Sequence, residues 1–133
     1  MPFTTYHLNV MESRELKLRL KDFAIRIIKM VDCMPRTISS DAIARQIIRS
    51  GTSPSANYRA ALLGKSDKDF LNKLKMVEEE LDETLHWLEI IMETEMMKPE
   101  RLEALHNECH ELLKIIVSTI VTMRNKVNKT EEW

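Results

Sequence analysis

Glycine occurs 2 times and proline 4 times in 133 residues. Tight turns draw on those two residue types, so a β-sandwich or a doubly wound sheet, each built on many turns, is excluded. Aromatic residues make up 5% of the chain. Single-stranded nucleic-acid readers stack bases on aromatic platforms, and there is little here to build one from. Cys33 and Cys109 are the only cysteines, with no CxxC pair and no disulfide framework of the small secreted kind. Apolar runs such as Ile115-Ile116-Val117 are far shorter than the roughly 20 residues that a membrane-spanning helix needs. The start, Met-Pro-Phe-Thr-Thr-Tyr-His, has neither a basic n-region nor a long apolar core. A cytoplasmic protein without a signal peptide is therefore expected, with no membrane partner.

What remains is a helix-former's alphabet, rich in Leu, Ile, Met, Glu and Lys. Hydrophobic residues are 44% and charged residues 31%, the balance of a folded soluble domain. The length suits one domain. The formal net charge of -1 conceals a division. Residues 1–76 carry 14 Lys+Arg against 7 Asp+Glu, and residues 77–133 carry 6 against 14. Either the basic half meets a polyanion, by counterion release, or basic helices pair with acidic ones of the same or a neighbouring chain.

Apolar spacing of three and four places four helices. The first runs from about Ser13 to Cys33 on Leu16, Leu20, Phe23, Ala24, Ile27 and Val31, and Met34-Pro35 breaks it, since a residue before proline avoids the α region. The second runs from about Ser39 to Leu63 on Ile43, Ile47, Tyr58 and Leu62. Gly64 is expected to end it in a left-handed conformation. Ser66 reads as the cap of a third helix carrying Phe70, Leu74, Val77, Leu81, Leu85, Leu88 and Met92. Pro99 opens a fourth, with Leu102, Leu105, Cys109, Leu112, Ile116, Ile120, Met123 and Val127 on one face. The expected architecture is all-α, an antiparallel up-down-up-down four-helix bundle over residues 13–127. Residues 1–12 form an arm, and residues 128–133 a frayed tail.

Two helices carry more than one stripe. With Leu81 taken as the centre of the core face, Met76, Glu80, Glu83, Trp87 and Ile90 gather on the other side of the third helix. A subunit interface with Trp87 as anchor is expected there; the alternative is packing within one chain. The second helix shows Arg49, Ser53, Ala56 and Ala60 opposite its stripe, small enough for a neighbour's close approach. Two such faces suit a ring-shaped homo-oligomer. Pro54 falls inside the second helix, where it costs roughly 3 kcal/mol. It reads as a kink with hydroxyls near the freed carbonyls, or as a break near Gly51.

Catalytic chemistry has little to stand on. Glu83-Thr84-Leu85-His86 and Glu103-Ala104-Leu105-His106 match the E-x-x-H of di-iron bundles. Such sites also need a Glu from each other helix, and the second helix has none. His106, Cys109 and His110 form a second metal-like grouping, but Cys109 falls on the core stripe, where a thiol acts as a small hydrophobe. A P-loop, a G-x-S-x-G elbow and a Gly-rich phosphate cradle are all lacking. No enzyme, no metal and no cofactor are expected. Arg14, Lys21, Arg26 and Lys29 lie off the core stripe of the first helix, the candidates for phosphate contact.

One series of residues is familiar. Arg45-Gln46-Ile47-Ile48-Arg49-Ser50 is followed by Ser53-Pro54-Ser55-Ala56-Asn57-Tyr58-Arg59-Ala60, by Ser66-x-x-Asp69-Phe70 with Lys73-Leu74, and by Glu79, Glu83, Thr84 and Trp87-Leu88. It resembles the bacterial four helix bundle protein family, also called the 23S rRNA intervening-sequence protein family. The resemblance implies an antiparallel bundle assembling into a ring, usually a homopentamer. It implies that Arg45, Gln46, Arg49, Ser53, Pro54, Asn57 and Tyr58 are structural, with Arg45 or Arg49 pairing Glu79, Glu80 or Glu83 across helices. Similar proteins include the accessory variability protein of diversity-generating retroelements, which binds a reverse transcriptase and nucleic acid through a basic surface. The net charge of -1 departs from that basic type. The function expected is a non-enzymatic oligomeric scaffold or accessory protein, with an RNA- or DNA-binding accessory protein as the alternative and a metal-dependent enzyme behind both.

Overall fold

The computed structural model describes residues 10–131, and the side chains of 12–129. Four helices follow one another: α1 (Val10–Asp32), α2 (Ile38–Leu62), α3 (Asp67–Glu93) and α4 (Pro99–Glu131). Helix α1 begins three residues ahead of its expected start, and α4 continues through Asn128, where fraying was expected. Residues 1–9 of the expected arm and the last two of the tail lie outside the described residues.

Paired positions on successive helices fix their directions. Gly51 faces Ile27, and Tyr58 reaches Ser13. Ser50 meets Thr84, and Asn57 meets Glu80. Leu81 meets Cys109, and Glu89 meets His106. In each case one number rises as the other falls, so neighbours are antiparallel. Helix α4 returns to α1, where Arg19 grips Glu108 through two hydrogen bonds of 3.1 and 2.8 Å. That closing seam is the most lightly packed of the four, and α1 lies diagonally from α3, as α2 does from α4. The bundle is therefore up-down-up-down.

The caps are local chemistry. The Thr37 hydroxyl accepts from the Ser40 amide at 3.2 Å, and Ser66 accepts from Asp69 at 3.1 Å. Gly64 departs from expectation, because no described glycine has a positive φ. Its value lies in close approach, since a Cβ there would sit 3.1 Å from the Ala61 carbonyl oxygen. The left-handed residue is instead Glu95, φ 56, beyond the end of α3. There the Met96 amide reaches Ile91 O and the Glu95 amide reaches Met92 O, closing the helix in a Schellman motif without glycine.

The core forms where the four stripes meet. Leu20, Phe23, Ile27, Ile47, Tyr58, Leu74, Leu81, Leu88, Leu112 and Ile116 are fully buried. Helix α2 runs unbroken through Pro54, so the break near Gly51 does not occur. A proline inside a helix costs roughly 3 kcal/mol. Ile47 and Tyr58, buried on either side of it, each contribute about 1.5–3 kcal/mol and hold the helix in register. Thr52 and Ser53 hydroxyls donate to the carbonyls of Ile48 and Arg49, each at 2.7 Å, just before the carbonyl that loses its donor.

Candidate functional site

Most of the recognised polar residues meet along one line, the seam between α2 and α3. Arg49 pairs with Glu83, and Glu83 also accepts from Trp87 Nε1 at 3.1 Å. One helical turn away Asn57 donates to Glu80 at 2.9 Å. Below them, in the interior, the Thr84 hydroxyl lies 2.9 Å from Ser50 Oγ and 2.7 Å from the Glu80 carbonyl. Ser53, Pro54 and Tyr58 continue the motif on α2: Ser53 binds back to Arg49, Pro54 is buried, and the Tyr58 hydroxyl meets Ser13 at 3.3 Å. The pairing implied for Arg49 is present, with Glu83 as its partner. Gln46 accepts from Arg49 at 3.3 Å, while Arg45 is exposed.

Electrostatics follow from depth. Burial raises the Glu80 carboxyl above its ordinary value, against the lowering effect of the Asn57 and Ser53 hydrogen bonds and the Arg49 charge. Burial likewise raises the Tyr58 phenol. The Cys109 thiol, inside the core, is pushed up to about 12, chiefly by burial, and donates to the Leu81 carbonyl at 3.3 Å. It is an inert apolar filler.

The five residues assigned to a second stripe on α3 separate. Glu80, Glu83 and Trp87 lie half-buried in the seam, with Trp87 packed against the core. Met76 stays 42% exposed, and Ile90 is half-buried. Neither E-x-x-H converges on a metal. Glu83 is engaged by Arg49 and Trp87, His86 is exposed and tilted against the Trp87 ring, and His106 faces Glu89 at 3.0 Å. Among the described residues, no three His, Cys, Asp or Glu side chains are placed to share an ion. Nor is any described helix long and apolar enough to cross a membrane. A groove of about 450 Å³ between α1 and α4 is bordered by Glu12, Glu15, Arg19 and Lys114 over a floor of Leu16 and Ile115. Ser118, Thr119 and Thr122 of α4 complete its wall.

The remaining surface is on helix faces. Arg14, Lys21 and Lys29 are exposed on α1, with Arg26 half-exposed at the edge of that face. Between them stand Leu18, Ile25 and Ile28, which are 59%, 42% and 41% exposed. The sequence reading missed these three. Their signal was present, since Leu18 and Ile25 are seven apart and share a face, but the stronger core stripe ran beside it.

Fold and seam together define an antiparallel helical bundle whose recognised polar residues join one helix to the next. The chain belongs to the 23S rRNA-intervening sequence protein family, whose pattern matches residues 14–118. Among solved structures it is similar to a protein of unknown function from the S23 ribosomal protein family of Bacteroides thetaiotaomicron, with 34% identity and a TM-score of 0.76, covering 81% of this chain and 96% of that one. No curated protein matches the chain.

Proposed function

We propose that this protein is a non-enzymatic scaffold or accessory protein that works as a ring-shaped homo-oligomer, a pentamer by family resemblance. The observation that carries this reading is the outer face of α1, where Leu18, Ile25 and Ile28 stand in solvent. Apolar side chains gathered on one exposed face mark an interaction site. The oligomer covers them, and the polar residues of the seam keep each bundle rigid beneath. Light scattering is the test: the mass expected is a multiple of 15.6 kDa, and Leu18→Glu with Ile25→Glu should lower it. A wild-type monomer would overturn the reading.

A second reading, a nucleic-acid-binding accessory protein that also meets a protein such as a reverse transcriptase, is favoured by the exposure of Arg14, Lys21 and Lys29 on the same face. Contacts of that kind go to backbone phosphates and weaken steeply between about 50 and 200 mM salt. Filter binding at those two concentrations checks it, and no retention at the lower one removes it.

A further inference from the structure

Helices α1 and α3 lie diagonally across the bundle, so their outer faces look in opposite directions. At 100° per residue the two faces have matched layouts. On α1, Leu18 and Ile25 are flanked by Arg14, Lys21 and Lys29. On α3, Met76 and Ile90 are flanked by Glu79, Asp82 and Glu93, and no Lys or Arg occurs between Lys75 and Lys98. Each row also carries residues of the other sign, Asp22 and Asp32 on α1 and Lys68 and Lys75 on α3, and in each the first sign stays in the majority. None of the six flanking charges pairs with another described residue of its own chain.

We propose that the outer face of α1 docks on the outer face of α3 of a second copy. The inference rests on the oligomer reading above and names the two surfaces that meet. Charge selects this arrangement. A two-fold contact of α3 on α3 would oppose mainly carboxylates, and one of α1 on α1 would bring together two faces on which basic residues are in the majority, three against two. The crossed contact joins opposite signs and covers Leu18, Ile25 and Met76 at its centre, with the ionic rim setting orientation. It is heterologous: every copy offers one face and receives on the other, so assembly proceeds head to tail and ends only where the rotation closes a ring.

The test uses two variants altered at exposed positions, Lys21→Glu with Lys29→Glu, and Glu79→Lys with Asp82→Lys. Circular dichroism verifies that both are folded. Each alone should fall to the monomer mass of 15.6 kDa by light scattering. An equimolar mixture should associate again, because each reversed face meets the complementary face of the other variant. Wild-type assembly should also weaken as salt rises. If the wild type associates but either variant keeps the full mass, or if the folded mixture stays monomeric, the contact lies elsewhere and only this inference falls. A monomeric wild type removes the oligomer reading itself. If the wild type is monomeric and retains an RNA probe that Lys21→Glu with Lys29→Glu releases, the α1 face belongs to nucleic acid instead.

Discussion

Ser40 is fully buried, and its hydroxyl finds no hydrogen-bond partner among the described residues. An unsatisfied buried hydroxyl is unfavourable, and alanine is the better helix former. Ser40→Ala should therefore raise stability by about 1 kcal/mol, read from the urea midpoint at constant slope. Glu80 carries the opposite kind of imperfection. Its carboxyl is raised above the ordinary 4.5 by burial, so the folded chain holds that proton more tightly than the unfolded one. The stability this lends is complete below the ordinary value and is lost as pH rises through the raised one. Glu80→Gln should thus increase Tm at pH 7, with the gain shrinking as pH falls below 4.5. An equal gain at both pH values would show that ionisation is not its source. The positions of Tyr58 and Cys109 were legible, because both fall on apolar stripes and size and polarity settle the rest. Ser40 was not: Thr37, Ser39 and Ser40 all resemble caps, and only the turn into α2 decides that Thr37 takes the role and Ser40 turns inward.

Helix α2 shows how much one element tolerates. A Cβ on Gly51 would meet Ile27 Cγ1 at 2.8 Å and Cγ2 at 2.9 Å, closer than real side chains pack. Ile27 is stiff at χ1 and wholly buried, so it has nowhere to go. The usual gain from alanine in a helix, about 1 kcal/mol, is outweighed by an overpacking cost of roughly 1–3 kcal/mol. Gly51→Ala is expected to lower stability by about 1 kcal/mol on balance in thermal unfolding. The element that misled sequence reasoning was α3. Centring its core on Leu81 set Glu80, Glu83 and Trp87 opposite the interior. The buried set also includes Thr84 and Ile91, which swing the centre toward α2 and bring those three to the flank that α2 covers. Periodicity locates a stripe through its apolar members, and a buried threonine with its hydroxyl satisfied by Ser50 is invisible to it. The core of α4, by contrast, was read correctly at all eight positions from Leu102 to Val127, because its apolar members are regular enough to fix the row even though buried Thr119 lies within it.

At the scale of the whole molecule, the division of charge is only partly answered within one chain. Arg19–Glu108 and Arg49–Glu83 join the basic half to the acidic half, while the outer rows on α1 and α3 stay apart. Architecture was legible from four spacings and three short breaks; the faces left for partners were not, since a helix wheel does not say on which side its neighbours stand. Helices α2 and α3 each have a well-packed neighbour on both sides, whereas α1 and α4 share the thin closing seam. Native-state hydrogen exchange should therefore find the slowest amides in α2 and α3, with α1 and α4 opening at lower free energy. Slower exchange in α1 than in α3 would contradict it. That thin seam bears on how the chain comes into being. Nearly all of its packing joins helices consecutive in the sequence, so no distant ends must find each other before structure appears. The α1–α2 hairpin can dock as soon as Leu62 has emerged from the ribosome, and each later helix then settles on a surface already waiting for it.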